Sequence, residues 1–241
     1  MDRYVAIWTT ILLLGLVPVA RSAGGPVAAQ PAMAEAVQRD RRYEAYGFVF
    51  ESYEGHDRLG RFTEHEIEVL GAVIEAYANL AGGPDRLSAL VDGPVSVRRD
   101  RHTVVSYTQA GRVIGLGRGA FDLAQTTESN FYTWGAESGD ELAQIVFGHE
   151  VGHRWIEGLR RRDGIDWAER YGQNVWRGER VSSRDTWADT DAVDCEEEAV
   201  TNLALFVLGK GYRWTFLRDA PASEQRQVRI DGWVYDLAAA S

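Results

Sequence analysis

The chain has 241 residues and a formal net charge of −10 at pH 7, from 26 Lys and Arg against 36 Asp and Glu. So acidic a chain lacks the general phosphate attraction on which nucleic-acid binding rests, and it makes no case for an anionic membrane surface. Its one Cys, Cys195, excludes an intrachain disulfide and every multi-cysteine zinc site. Cys195 abuts a glutamate run that would raise its pKa, so it reads as a buried small residue, not a nucleophile.

Val5 to Val19 is mostly apolar, with a length suited to the core of an export signal and short for a membrane span. Ala20-Arg21-Ser22 and Ala32-Met33-Ala34 each offer a cleavage site, and Gly24 to Pro31 between them is a linker. An uncleaved N-terminal anchor is the alternative. The expectation is an exported protein, periplasmic or extracellular: residues 1–34 are signal and linker, and 35–241 one domain with a sizeable core, free of the membrane after cleavage. Oligomeric state is not read from the sequence.

Arg58 to Gly83 reads as a first long helix. Thr63 and Glu66 form a capping box, Phe62 and Ile67 a hydrophobic staple, and Gly82-Gly83-Pro84 ends it. Ile67, Leu70, Val73, Ile74, Tyr77 and Ala78 follow helical spacing. A short helical turn is expected at Pro84 to Val91. Strands follow at Pro94–Val97, Thr103–Tyr107 and Arg112–Leu116, the last two a hairpin around Gln109-Ala110-Gly111. Ser138 and Glu141 then cap a helix with an apolar stripe of Leu142, Ile145, Val146, Val151 and Trp155. Residues 160–194 are charged and read as irregular. Cys195 to Gly209 reads as a further helix, acidic first and apolar after.

His149-Glu150-Val151-Gly152-His153 lies inside the helix capped by Ser138. Two His four apart share one helical face and can ligate one Zn²⁺, with Glu150 in reach of a metal-bound water as general base. Gly148 and Gly152 flank the pair; each costs about 1 kcal/mol relative to Ala in a helix interior. Either tight packing or room for a substrate would account for them. The remaining His, at 56, 65 and 102, are isolated and read as surface or turn residues. Phe131, Tyr132, Trp134, Trp155, Trp167, Trp176 and Trp187 could line an apolar subsite, though core or cover positions suit them as well.

This stretch resembles the active-site helix of the zincin metallopeptidases. Val146, Phe147, Gly148, Val151, Gly152 and Trp155 fit the longer zincin pattern, and Arg154 departs from it. Ile156 and Leu159 stand where metzincins continue with Gly and His, which excludes that branch. Gluzincins draw a third ligand from a later helix, and Cys195–Gly209 resembles it. In many gluzincins the ligand Glu is followed four residues later by Asp or Asn, which supports a ligating His. Glu198 with Asn202 has that spacing and is the first choice; Glu197 with Thr201 is the second, and Glu196 with Val200 the last. Asp166, in a stretch running to Tyr171-Gly172 that faintly resembles the aspzincin pattern, is a rival.

The resemblance implies an α+β, zincin-like fold: a small, mostly antiparallel sheet packed on the active-site helix, with further helices. Arg112–Gly119 is the candidate edge strand for an extended substrate. It also implies an exported zinc-dependent metallopeptidase acting on a peptide or protein substrate. His149, His153 and Glu198 would hold Zn²⁺, and Glu150 would be the general base of a zinc-bound water. Tyr171, Tyr212 and Arg213 are candidates for oxyanion stabilisation. A non-catalytic zincin-like binding domain and a non-peptide zinc hydrolase are the alternatives.

Overall fold

A computed structural model describes residues 36–103, 106–109, 112–128, 133–175, 192–214, 220–221 and 224–241. The chain divides into a unit of residues 1–34 and a unit of residues 35–241. All described residues belong to the second, so the expected signal lies outside them, as do Phe131, Tyr132, Trp176 and Trp187.

The architecture is α+β. Six strands form one sheet: β1 (Ala36–Asp40), β2 (Phe48–Glu54), β3 (Leu59–Gly60), β4 (Val95–Asp100), β5 (Tyr107–Gln109) and β6 (Val113–Gly117). The spatial order is β1-β2-β4-β6-β5, with β3 pairing β4. Three of its five strand pairings are antiparallel, as expected, but the sheet is mixed: β2, β4 and β6 run parallel at its centre, and β1, β3 and β5 add antiparallel flanks. The parallel centre requires crossovers. Helices α1 (Glu64–Ala81) and α2 (Pro84–Leu90) lie in the connection from β2 to β4, and a short α3 (Leu123–Glu128) follows β6. β1, β2 and a terminal helix are additions to the expected order.

Local signals explain where the elements start. Thr63 caps α1 with the full reciprocal box to Glu66, and Gly82 ends it in the left-handed conformation. Ile67, Leu70, Val73, Ile74, Tyr77 and Ala78 form its buried face. Ser138 accepts from the Glu141 amide at the head of α4 (Gly139–Asp163), and Gly164 closes that helix. Here the box is only half made, since the Glu141 carboxylate bonds the Glu137 amide instead.

The stretch expected to be irregular contains a further helix, α5 (Trp167–Val175). Asp166 caps it by accepting from the amides of Ala168 and Glu169, each at 3.0 Å. Trp167, Ala168, Tyr171 and Val175 bury one face, at a spacing that charged neighbours obscure in the sequence. Residues 176–191 lie outside the described set. Helices α6 (Ala192–Val207) and α7 (Glu224–Ala239) follow, with a small ribbon of β7 (Arg213–Trp214) and β8 (Ala220–Pro221) between them. One core joins the sheet residues Phe48, Phe50, Val95, Val97, Ile114 and Leu116 to the inner faces of the helices. Among the described residues no helix is long and apolar enough to cross a membrane.

Candidate metal centre

Helices α4 and α6 pack antiparallel and very close. A Cβ on Gly148 would stand 3.1 Å from Cβ of Ala204, and one on Gly152 would stand 3.0 Å from Cβ of Val200. The two glycines therefore serve tight packing. Their absent side chains bring the acidic start of α6 against the His pair.

Three side chains converge there. Nε2 of His149 and Nε2 of His153 are 3.1 Å apart. Glu197 places one carboxylate oxygen 3.2 Å from Nε2 of His149 and the other 3.4 Å from Nε2 of His153. Tetrahedral ligands about 2.0–2.1 Å from a common zinc would be about 3.3 Å from one another. The donor set therefore fits a divalent metal, and His149, His153 and Glu197 could hold one.

The opposite edges of both imidazoles are tethered. The Thr201 hydroxyl donates to the Glu197 carbonyl at 2.8 Å, so its oxygen is left to accept from Nδ1 of His149 at 2.9 Å. Nδ1 of His153 faces Oε1 of Glu196 at 3.0 Å. Protons on both Nδ1 atoms leave both Nε2 lone pairs aimed at one point, the arrangement that metal-binding imidazoles use. Lone pairs and a carboxylate at this spacing need positive charge among them. Burial alone would lower the pKa of His153, but Glu196 and Glu197 outweigh burial and push it up to about 10. Burial would raise Glu197, yet the two imidazoles hold its carboxyl below the usual range. Glu196 is lowered likewise, burial being outweighed by His153 and Arg160.

Glu150 is buried on α4 beside His149. Its Oε2 accepts from the Thr108 hydroxyl of β5 at 2.6 Å. β5 pairs β6 on one side and ends the sheet, so the edge strand is Tyr107–Gln109 and not Arg112–Gly119; β6 lies inside, between β4 and β5. The indole of Trp134 stacks on the His149 ring at 5.8 Å with 22° between planes. Trp155 and Trp167 are core residues.

Glu198, the ligand favoured by spacing, is turned elsewhere. It is fully buried, ion-paired with Arg226 of α7, and accepts from the Tyr171 hydroxyl at 2.8 Å. Asn202 donates to the same Tyr171 oxygen at 2.9 Å. At the same four-residue spacing one position earlier, Glu197 faces the His pair and Thr201 contacts His149. Asp166 is the cap of α5, also 3.4 Å from Arg160, and does not join the His pair. Tyr171 serves Glu198, and Tyr212 donates to Asp231. The Arg213 and Cys195 side chains lie outside the described set. Arg154 is buried on α4, where its guanidinium donates to the Val91 carbonyl at 3.0 Å, away from the His pair.

No family model, curated protein or solved structure matches the chain.

Proposed function

We propose that this chain is an exported zinc metallopeptidase with a zincin-like core. One observation carries the reading: the Nε2 atoms of His149 and His153 and the Glu197 carboxylate converge within 3.1–3.4 Å of one another, beside a buried Glu150. A nitrogen, nitrogen, oxygen donor set suits zinc, which when bound acidifies a water and offsets negative charge on an attacked carbonyl.

The chain's own residues do the rest. Glu150 takes the proton of the attacking water and passes it to the leaving amine. Thr108 holds one oxygen of that carboxylate, which leaves the other for the proton. Among the described residues the outer edge of β5 is unpaired; it offers backbone groups to an extended peptide, and Thr108 puts that edge next to Glu150. The apolar stretch Val5–Val19 supports export.

Metal analysis and hydrolysis of an unfolded generic protein test the reading. Purified protein should hold about one zinc per chain. Glu150→Gln should keep the zinc and lose hydrolysis by about 10²–10⁴-fold, because an amide cannot take the proton. Wild-type turnover in that variant would remove Glu150 from the reaction. Zinc uptake without hydrolysis of any protein tried would favour the binding-domain alternative.

A further inference from the structure

α6 carries three consecutive glutamates, two of which contact the His pair, and successive residues differ by about 100° of helix rotation. Exchanging one carboxylate for another at the metal would therefore take a turn of α6 of about that size, or a shift of its register. Each of the three meets a different fate. Glu196 gives Oε1 to Nδ1 of His153 and Oε2 to Arg160, the latter at 2.9 Å. Glu198 is ion-paired with Arg226, both fully buried. The Glu197 carboxylate meets the two imidazoles and, among the described residues, no Arg or Lys.

We propose that Arg160 and Arg226 are positioning residues that sort these glutamates from opposite flanks, leaving Glu197 for the metal. The inference rests on the metal-site reading above. Arg160 stands on α4, seven residues after His153, and also holds Glu157 at 3.0 Å, so it is fixed to the helix that bears both His. Arg226 stands on α7 and draws Glu198 into the α5–α7 side, where Tyr171 and Asn202 complete the setting. A fully buried ion pair is weak as a source of net stability, because desolvation offsets the attraction. Its worth here is rotational: it costs α6 its other settings.

Two variants test this by cobalt(II) affinity, from competition against a chromogenic chelator, and by the visible absorption of the cobalt-loaded protein. Arg226→Ala alone strips a buried carboxylate of its cation and risks the fold, so Glu198→Leu with Arg226→Met is used instead; paired apolar replacement of a buried ion pair is often neutral or stabilising. Arg160→Met, at a half-exposed position, is the second. Each should fold, with a thermal midpoint near that of the wild type, yet bind cobalt about ten- to hundredfold more weakly, the loss typical of groups that orient ligands. The absorption bands should shift. A merely structural role would leave both readouts unchanged, and wild-type affinity in either variant overturns the inference. Should the double variant not fold, Arg160→Met decides alone. Loss of cobalt uptake by the wild type itself would overturn the metal reading and this inference together, whereas failure confined to the variants leaves that reading standing.

Discussion

Gly152 of α4 lies directly against Val200 of α6: a Cβ added there would stand 3.0 Å from Cβ and 3.3 Å from Cα of Val200. Two helices thus meet almost backbone to side chain one residue before His153. Replacing Gly152 by Ala gains about 1 kcal/mol of helix propensity. The added methyl requires Val200, and α6 with it, to give by a few tenths of an ångström, at about 1–3 kcal/mol for overpacking. Sterics win or break even, so thermal stability should fall slightly or stay level. Zinc affinity should fall further than stability, because Glu197 sits on the helix that moves. An alanine variant with wild-type zinc affinity would show that the separation of α4 and α6 does not set the site.

The three glutamates of α6 should separate by the kind of loss each alanine variant suffers. Glu197→Ala should lose the metal and keep the fold, since its carboxylate is partly exposed and meets the imidazoles. Glu196→Ala should keep the fold and weaken metal binding about ten- to hundredfold, as for a group that orients His153. Glu198→Ala should cost about 3–5 kcal/mol of stability, because the buried Arg226 loses its carboxylate. Chelator titrations and thermal unfolding on one set of proteins separate these outcomes. A folded Glu198→Ala protein without metal would restore Glu198 as the ligand.

The difference between Glu197 and Glu198 shows where sequence reading stops. His149, Glu150, His153 and the Thr63–Glu66 box were legible because their partners lie three or four residues away along one helix. The four-residue spacing singled out Glu198 with Asn202, whereas in the structure Glu197 faces the His pair and Thr201 meets His149. What settles the register is Arg226, 28 residues from Glu198 along the chain, and no local pattern announces that contact. Thr108 was silent for the same reason, lying 42 residues from Glu150. The inner place of β6 likewise depends on its parallel pairing with β4, which the hairpin pattern of β5 and β6 does not reveal. Helix α5 was hidden by the charges around its buried stripe.

Thr108 should matter to turnover more than to metal. A hydroxyl given to a carboxylate is worth about 1.5–3 kcal/mol when the acceptor is charged. Thr108→Val keeps the shape and removes that bond. Hydrolysis should fall about tenfold or more, mostly in kcat, while zinc content stays at the wild-type level. Thr108→Ser should recover most of the loss. If valine and serine variants behave alike, the bond between Thr108 and Glu150 has no part in the reaction.

Asp100 ends β4 and holds the approach to the edge strand. Its buried carboxylate accepts from Arg58 at 2.7 Å, the Tyr107 hydroxyl at 3.0 Å and the His102 amide at 2.9 Å. Burial alone would raise its pKa, but Arg58, the His102 amide and Tyr107 outweigh burial and lower it. A carboxyl held below its unfolded value of about 3.9 binds its proton more weakly when folded. The stability it contributes is therefore present above about pH 4 and lost as pH falls through the lowered folded value. Asp100→Asn removes the charge and should cost about 1–3 kcal/mol at neutral pH. Because the variant has no proton to gain there, the gap in thermal midpoint between wild type and variant should narrow as pH falls below about 4. Tyr107 precedes Thr108 on β5, so the same variant should also lower hydrolysis at neutral pH by loosening the strand that holds Glu150. A gap that stays constant into acid would mean that the Asp100 charge is not what Arg58 and Tyr107 stabilise.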